Sequence, residues 1–266
     1  MSEQSEGQIQ PESVVNYVIE GRSGEKFPAK LFKVEGPISD FPNSELAKIS
    51  PQIIDVAKRC FTHWTDDGAR FTKILAERAN RVSVVYDTKG ENVVAFNVYE
   101  QGEITPEGMD GVVDFVYTHY AGVDPQPGVS GEKYRGQRLM ESSRTSDTQS
   151  MNPEVISGCT ANGAILKGVR ATAKELDRVM YPEFGKPVPT AISSLGRAIY
   201  SKVNGALAGQ TVDNSLIRHG KSPYLRGEAP DPLVNQLPTN NDAFLYASLS
   251  KRLASRFNSS PLPRGK

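Results

Sequence analysis

Residues 112–140, VVDFVYTHYAGVDPQPGVSGEKYRGQRLM, decide how this chain reads. Val112, Val113, Phe115, Val116, Tyr117 and Tyr120 make a β-branched and aromatic run, which predicts a buried strand. The segment after it holds Gly122, Gly128, Gly131 and Gly136 and ends in a basic cluster of Lys133, Arg135 and Arg138. A strand that feeds a glycine-containing basic turn at a helix N-terminus suits a phosphorylated ligand. Bare backbone N–H groups, the positive end of the helix and the basic side chains all favour an anion there. An ordinary strand-to-helix connection with solvated charges fits the same residues.

Outward from this stretch, composition sets bounds. With 266 residues the chain has room for one large domain or one domain with extensions. Lys+Arg and Asp+Glu balance at 31 each, so there is no global basic field and nucleic acid is not an expected partner. Cys60 and Cys159 lie far apart in apolar patterns and read as buried free thiols, not as a disulfide framework or a metal site. The first residues, MSEQSEGQIQPES, lack a signal-peptide pattern, and no apolar run approaches the roughly 18 residues of a membrane span. The expectation is a soluble, cytoplasmic protein without membrane partners.

The periodicity predicts short strands at 14–19 and 29–34, and a helix capped by Ser50-Pro51 that carries Ile53, Ile54, Ala57, Cys60, Phe61 and Trp64 inward. A second helix follows an Asp66-Asp67 cap, with Phe71, Ile74, Leu75 and Ala79 inward. Strands at 82–86 and 93–99 flank a hairpin turn at Asp87-Thr88-Lys89-Gly90. After the central strand, a helix begins near Gly136, but ESSRTSDTQSMN is too polar to show where it ends. A strand at 154–160 precedes a helix over 162–180, which Tyr181-Pro182 stops. Further on come a helix through Ile192, Leu195, Ile199 and Val203, a short strand at Leu216-Ile217, and an irregular stretch at 220–241. A last helix carries Phe244, Leu245, Leu249, Leu253 and Phe257. The organisation expected is a disordered terminus at 1–13, a core at 14–185, an extension at 186–258 packed on it and a mobile tail at 259–266. The fold class is α/β (α+β), with a mixed, mostly antiparallel sheet flanked by helices.

Element order and loop together resemble the GNAT superfamily, the Gcn5-related N-acetyltransferases. Tyr134-Arg135-Gly136-Gln137-Arg138-Leu139-Met140 matches the opening of the superfamily's pyrophosphate loop. Thr160-Ala161-Asn162 and Tyr181-Pro182 resemble segments of a subgroup. The resemblance covers roughly residues 50–182. It implies acyl-CoA, acetyl-CoA above all, as the cosubstrate and an amine as acceptor. It implies that the backbone at Val116 and Tyr117 takes the pantetheine arm, that Arg135, Gly136, Gln137, Arg138, Leu139 and Met140 hold the pyrophosphate, and that Asn162 bonds the pantetheine amides. Two departures stand out. Arg138 and Met140 occupy positions that are normally glycine or alanine, where a missing side chain lets phosphate approach the backbone. The helix expected after the last core strand also lacks the tyrosine that serves the superfamily as acid, leaving Tyr181 at its end as the substitute.

Such chemistry needs a base for the amine, donors for the oxyanion and an acid for the leaving thiolate. His119 is the candidate base on the central strand, since it titrates near neutrality; the alternative is a strand-end histidine bonded to a loop carbonyl. Strict alternation places Asp114 opposite Tyr117 and His119, and Tyr120 opposite His119. Glu100, at the end of the preceding strand, is a second candidate base or a solvated edge carboxylate. Asn162 is also well suited to cap the following helix. Cys159 has no readable His–Asp partner, which puts a hydrolase reading last. Two functions stay open: an acyl-CoA-dependent N-acyltransferase, or a GNAT-fold binding module that has lost transfer.

Overall fold

The computed structural model describes residues 12–21, 24–61, 64–106, 111–125, 135–205, 211–219, 231–239 and 242–259, the side chains of 64–67, 135–137 and 258–259 excepted. The expected tail past Ser259 and most of the irregular stretch at 220–241 therefore lie outside the described residues, as do Lys133 and Tyr134 of the basic loop.

Two hairpin strands open the chain, β1 (Glu12–Glu20) and β2 (Lys26–Val34). Helices α1 (Glu45–Cys60) and α2 (Trp64–Glu77) follow, then the meander β3 (Arg81–Tyr86), β4 (Val93–Ile104) and β5 (Val113–Val123). Next come α3 (Arg135–Met151), β6 (Val155–Thr160), α4 (Gly163–Glu175) and β7 (Val179–Tyr181). The last elements are α5 (Thr190–Asn204), β8 (Thr211–Val212), β9 (Ile217–His219), β10 (Ala243–Leu249) and α6 (Lys251–Ser259). The strands form one sheet in the order β1-β2-β3-β4-β5-β6-β10-β9-β8, with β7 on β10. Among the described strands only β5 and β6 pair in parallel, with α3 as their crossover; every other pair is antiparallel. The mixed, mostly antiparallel sheet is thus the one expected. Among the described residues, no helix is long and apolar enough to cross a membrane.

Several local expectations are corrected. Helix α1 begins at Glu45, not at Ser50. Ser44 Oγ accepts from Ala47 N at 3.1 Å, and the Glu12 carboxylate accepts from Glu45 N and Leu46 N at 3.0 and 2.9 Å. These acceptors satisfy the first-turn donors, so the helix starts there and runs on through Pro51. By the same contact Glu12 belongs to β1, not to a frayed terminus. Trp64 opens α2 and does not close α1. Helix α4 ends at Glu175, short of Met180. Asp177 turns the chain with a φ of 53°, and the Arg178 guanidinium donates to the carbonyls of Pro153, Glu154 and Ser248, which anchors β7 against β10. Tyr181 is therefore a strand residue. Residues 243–249, expected in a last helix, form a strand buried along its whole length, and only Leu253 and Phe257 of that apolar set are helical.

The polar helix α3 packs its polar face inward. Ser143, Arg144, Thr145, Asp147 and Thr148 are buried, against Ser83, Asn97 and Thr118 of the sheet. The opposite face of the sheet is apolar. Phe71 and Ile74 of α2, and Ile53 and Val56 of α1, pack on Phe96, Val98 and Tyr120. Ile192, Leu195 and Ile199 of α5 pack on Phe115, Tyr117 and Leu245.

Candidate active site

Ladder pairing between β5 and β6 runs from Phe115↔Val155 to Thr118↔Gly158 and stops there, while β5 continues to Val123 and β6 to Thr160. Beyond that point β6 keeps pairing with β10, through Cys159↔Leu245 and Thr160↔Phe244. The parallel pair is therefore a fork, and Gly158 sits at its crotch. A Cβ on Gly158 would lie 2.6 Å from the Tyr246 hydroxyl and 3.0 Å from the Thr118 carbonyl, so only glycine lets the strands come this close.

At the same level β5 carries a bulge. Val98 and Tyr99 of β4 face Tyr120 and Thr118, which makes His119 the extra residue. The bulge breaks the strict alternation expected from the sequence. Tyr117, His119 and Tyr120 all point to the α2 and α5 side, where they line a narrow, partly open pocket with Arg70, Ile74, Cys159, Tyr200, Asn204 and Arg218. Val116 and Thr118 point to the other face, toward α3 and α4.

His119 is buried, with 7% of its surface exposed, and its Nε2 is 3.0 Å from Glu100 Oε2. The Arg78 guanidinium donates to the same oxygen at 3.0 Å and to the Val203 carbonyl. A carboxylate only accepts, so Glu100 places the imidazole proton on Nε2 and the lone pair on Nδ1. Burial pushes the His119 pKa down; the Glu100 bond opposes the shift, and the charges of Arg78 and Arg70 add to it. The imidazole is thus neutral at neutral pH. Tyr117 packs edge-on against it, with ring centroids 5.1 Å apart. Burial, above all, holds the Tyr200 hydroxyl in its protonated form, and the Arg218 guanidinium donates a hydrogen bond to its oxygen. Burial raises both thiols, Cys60 to about 12, so neither is a ready nucleophile.

Of the residues singled out in the sequence, Tyr117, His119, Tyr120 and Cys159 line this pocket, and Glu100 stands behind it, bonded to His119. Tyr181 does not line it; the residue pairs with Ala247 of β10 and packs with the α5 cluster. Asp114 is bonded to Gln101 Nε2 at 3.2 Å, away from the pocket. Asn162 caps α4, its Oδ1 accepting from Ala164 N at 2.9 Å. Arg135, Gly136 and Gln137 form the first turn of α3, with side chains outside the described residues. Arg138 is exposed, Leu139 is buried against Ile19, Ala29, Val85 and Val94, and Met140 packs beside it. Sequence reasoning missed Tyr200, Asn204, Arg70 and Arg218. The only trace of Tyr200 is its place next to Ile199 in the apolar stripe of α5.

Solved structures to which the fold is loosely similar include acetyltransferases. One is a histone acetyltransferase HPA2 and related acetyltransferase from Corynebacterium glutamicum, at 14% identity over 52% of this chain and 84% of that one, with a TM-score of 0.36. Another is Chaetomium thermophilum Naa20 in complex with a bisubstrate analogue, at 11% identity over 70% and 73%, TM-score 0.31. A third is a GNAT-family acetyltransferase from Desulfovibrio desulfuricans, at 8% identity over 88% and 98%, TM-score 0.31. Likenesses this loose say nothing about what the chain acts on. No protein-family model matches the sequence, and no curated protein does.

Proposed function

We propose that the chain is an acyl-CoA-dependent N-acyltransferase that moves an acetyl group to a primary amine by direct attack on the thioester. The observation that carries this reading is the fork between β5 and β6 with the Glu100–His119 pair at its mouth. His119 Nδ1 takes a proton from the incoming ammonium, and Glu100 and Arg78 steady the imidazolium that forms. The amine nitrogen attacks the thioester carbon; a C–N bond forms and the C–S bond breaks. The Tyr200 hydroxyl gives its proton to the leaving thiolate and recovers one from the acylated nitrogen. Acyl-CoA is a substrate here. The first turn of α3 with Arg138 on its exposed side suits the pyrophosphate, as a guanidinium binds phosphate in a forked geometry.

Thermal unfolding with and without acetyl-CoA tests binding. A ligand at 100 times its dissociation constant adds about 2.7 kcal/mol of stability. Release of free thiol in the presence of an amine panel tests transfer. One observation favours a second reading, a GNAT-fold protein that binds without transferring: large side chains stand at positions 138 and 140. An unchanged melting curve in acetyl-CoA supports that second reading.

A further inference from the structure

The charges around the pocket narrow the acceptor. Two guanidiniums line it, Arg70 and Arg218, and a third, Arg78, stands behind His119. Arg78 is bonded to Glu100, and Arg218, with 3% of its surface exposed, donates to Tyr200. Arg70 makes one hydrogen bond among the described residues, a 3.3 Å contact to the Asn204 amide oxygen, and no ion pair with any described carboxylate. Asn204 is itself fixed, its Nδ2 donating to the Tyr200 carbonyl at 3.2 Å. A guanidinium has five N–H donors in a planar fork that matches a carboxylate. Arg70 therefore offers most of its fork to whatever enters.

An ammonium ion with no other charge is repelled by this ring of cations, because like charges in a partly desolvated site cost several times what they cost in water. A zwitterion brings its own compensation. Its carboxylate pairs with Arg70, and the surrounding positive charge then favours loss of the ammonium proton, which attack on the thioester requires.

We infer that the acceptor is a small amine that itself carries a carboxylate, a free amino acid or a close analogue, with the carboxylate on Arg70 and the amine toward His119. This assignment rests on the transferase reading above and names its substrate class.

The test uses matched pairs of acceptors, glycine with glycinamide and L-phenylalanine with L-phenylalaninamide, in an acetyl-CoA thiol-release assay on the full chain. Each acid should exceed its amide in kcat/KM by at least about tenfold. In Arg70→Gln that ratio should collapse toward one, mainly through KM, and Arg70→Lys should restore part of it. Comparing that ratio between Arg70→Gln and the unaltered protein cancels the intrinsic difference in amine basicity within each pair. Equal or better use of the amides by the unaltered protein overturns the assignment and leaves the transferase reading standing. Thermal melting with the acids and amides alone separates the two claims. Stabilisation by the acids only, and its loss in Arg70→Gln, supports the carboxylate site even if acetyl-CoA gives no shift and the transferase reading fails. Equal shifts, or none, with acids and amides count against the site.

Discussion

On the face of the sheet covered by α3 and α4, Asp147 is fully enclosed and accepts from the hydroxyls of Tyr17 at 2.6 Å and Tyr99 at 2.8 Å, with Ser143 and Asn97 at 3.4 Å. On the face covered by α1, α2 and α5, Glu100 is bonded to the Arg78 guanidinium and to His119, each at 3.0 Å. The first acid is held by neutral donors alone, and burial pushes its carboxyl up to about 6. The second has a cation beside it and a titratable ring on its other side. Neutral hydrogen bonds lock a layer of the core in register, whereas a charge relay at the lip of a pocket can pass a proton. The difference teaches that a buried acid alone does not mark a reactive site; its partners do.

The largest effect expected from this contrast is structural. Asp147→Leu removes the acceptor of the buried Tyr99 hydroxyl and the shortest partner of Tyr17, which keeps Ser83 at 2.9 Å, and an orphaned buried group costs about 1–3 kcal/mol. Urea unfolding should show a loss of about 3 kcal/mol; a loss below about 1 kcal/mol breaks the comparison. Next comes pH. Folded Asp147 holds its proton up to about 6 and the unfolded residue only to 3.8, so the folded state binds more protons between them. Stability contributed by this group falls as pH rises through that window, by roughly 3 kcal/mol at about 1.36 kcal/mol per unit. His119 acts in the opposite sense. Its folded pKa lies below the ordinary 6.5, so its contribution is lost as pH drops under that value. Unfolding curves between about pH 4 and pH 7 should therefore show Asp147→Asn gaining on the unaltered protein as pH rises. A constant difference assigns Asp147 an ordinary titration.

The Glu100 side of the comparison is sharpened by Glu100→Gln. Amine acetylation should fall on the order of 100-fold, as expected when a general base loses its supporting carboxylate, while melting shifts with acetyl-CoA persist. A fall of less than about threefold makes Glu100 a structural ion-pair partner. The smallest effect belongs to Asn162→Ala, which removes the α4 cap and should cost about 1 kcal/mol. A weaker acetyl-CoA shift in that variant adds ligand binding to the capping role.

Much of the fold was readable because its strands and α1, α2 and α5 carry apolar residues at clean spacings. The failures have physical causes. Helix α3 defied periodicity because its inward face is Ser143, Asp147 and Thr148, which hydrophobic patterns do not register. Strand β10 is buried on both faces, and a continuous apolar run has no period to separate it from the helix that follows. Of the site, Glu100 and His119 were legible because they lie close along the chain and sit on the meander. Tyr200 and Arg218 arrive from elements some eighty to a hundred residues further on, and nothing local signals that they converge on the same pocket.

The position of β10 has a consequence for biosynthesis. This strand fills the slot beside β6, yet it leaves the ribosome some eighty residues after it. Until it arrives, nascent β6 presents an uncovered hydrogen-bonding rim and the apolar residues that β10 will hide, the kind of edge that recruits neighbouring chains. A message truncated before codon 243 should therefore yield not a smaller folded protein but an aggregate, and chaperones should engage the growing polypeptide until β10 is in place.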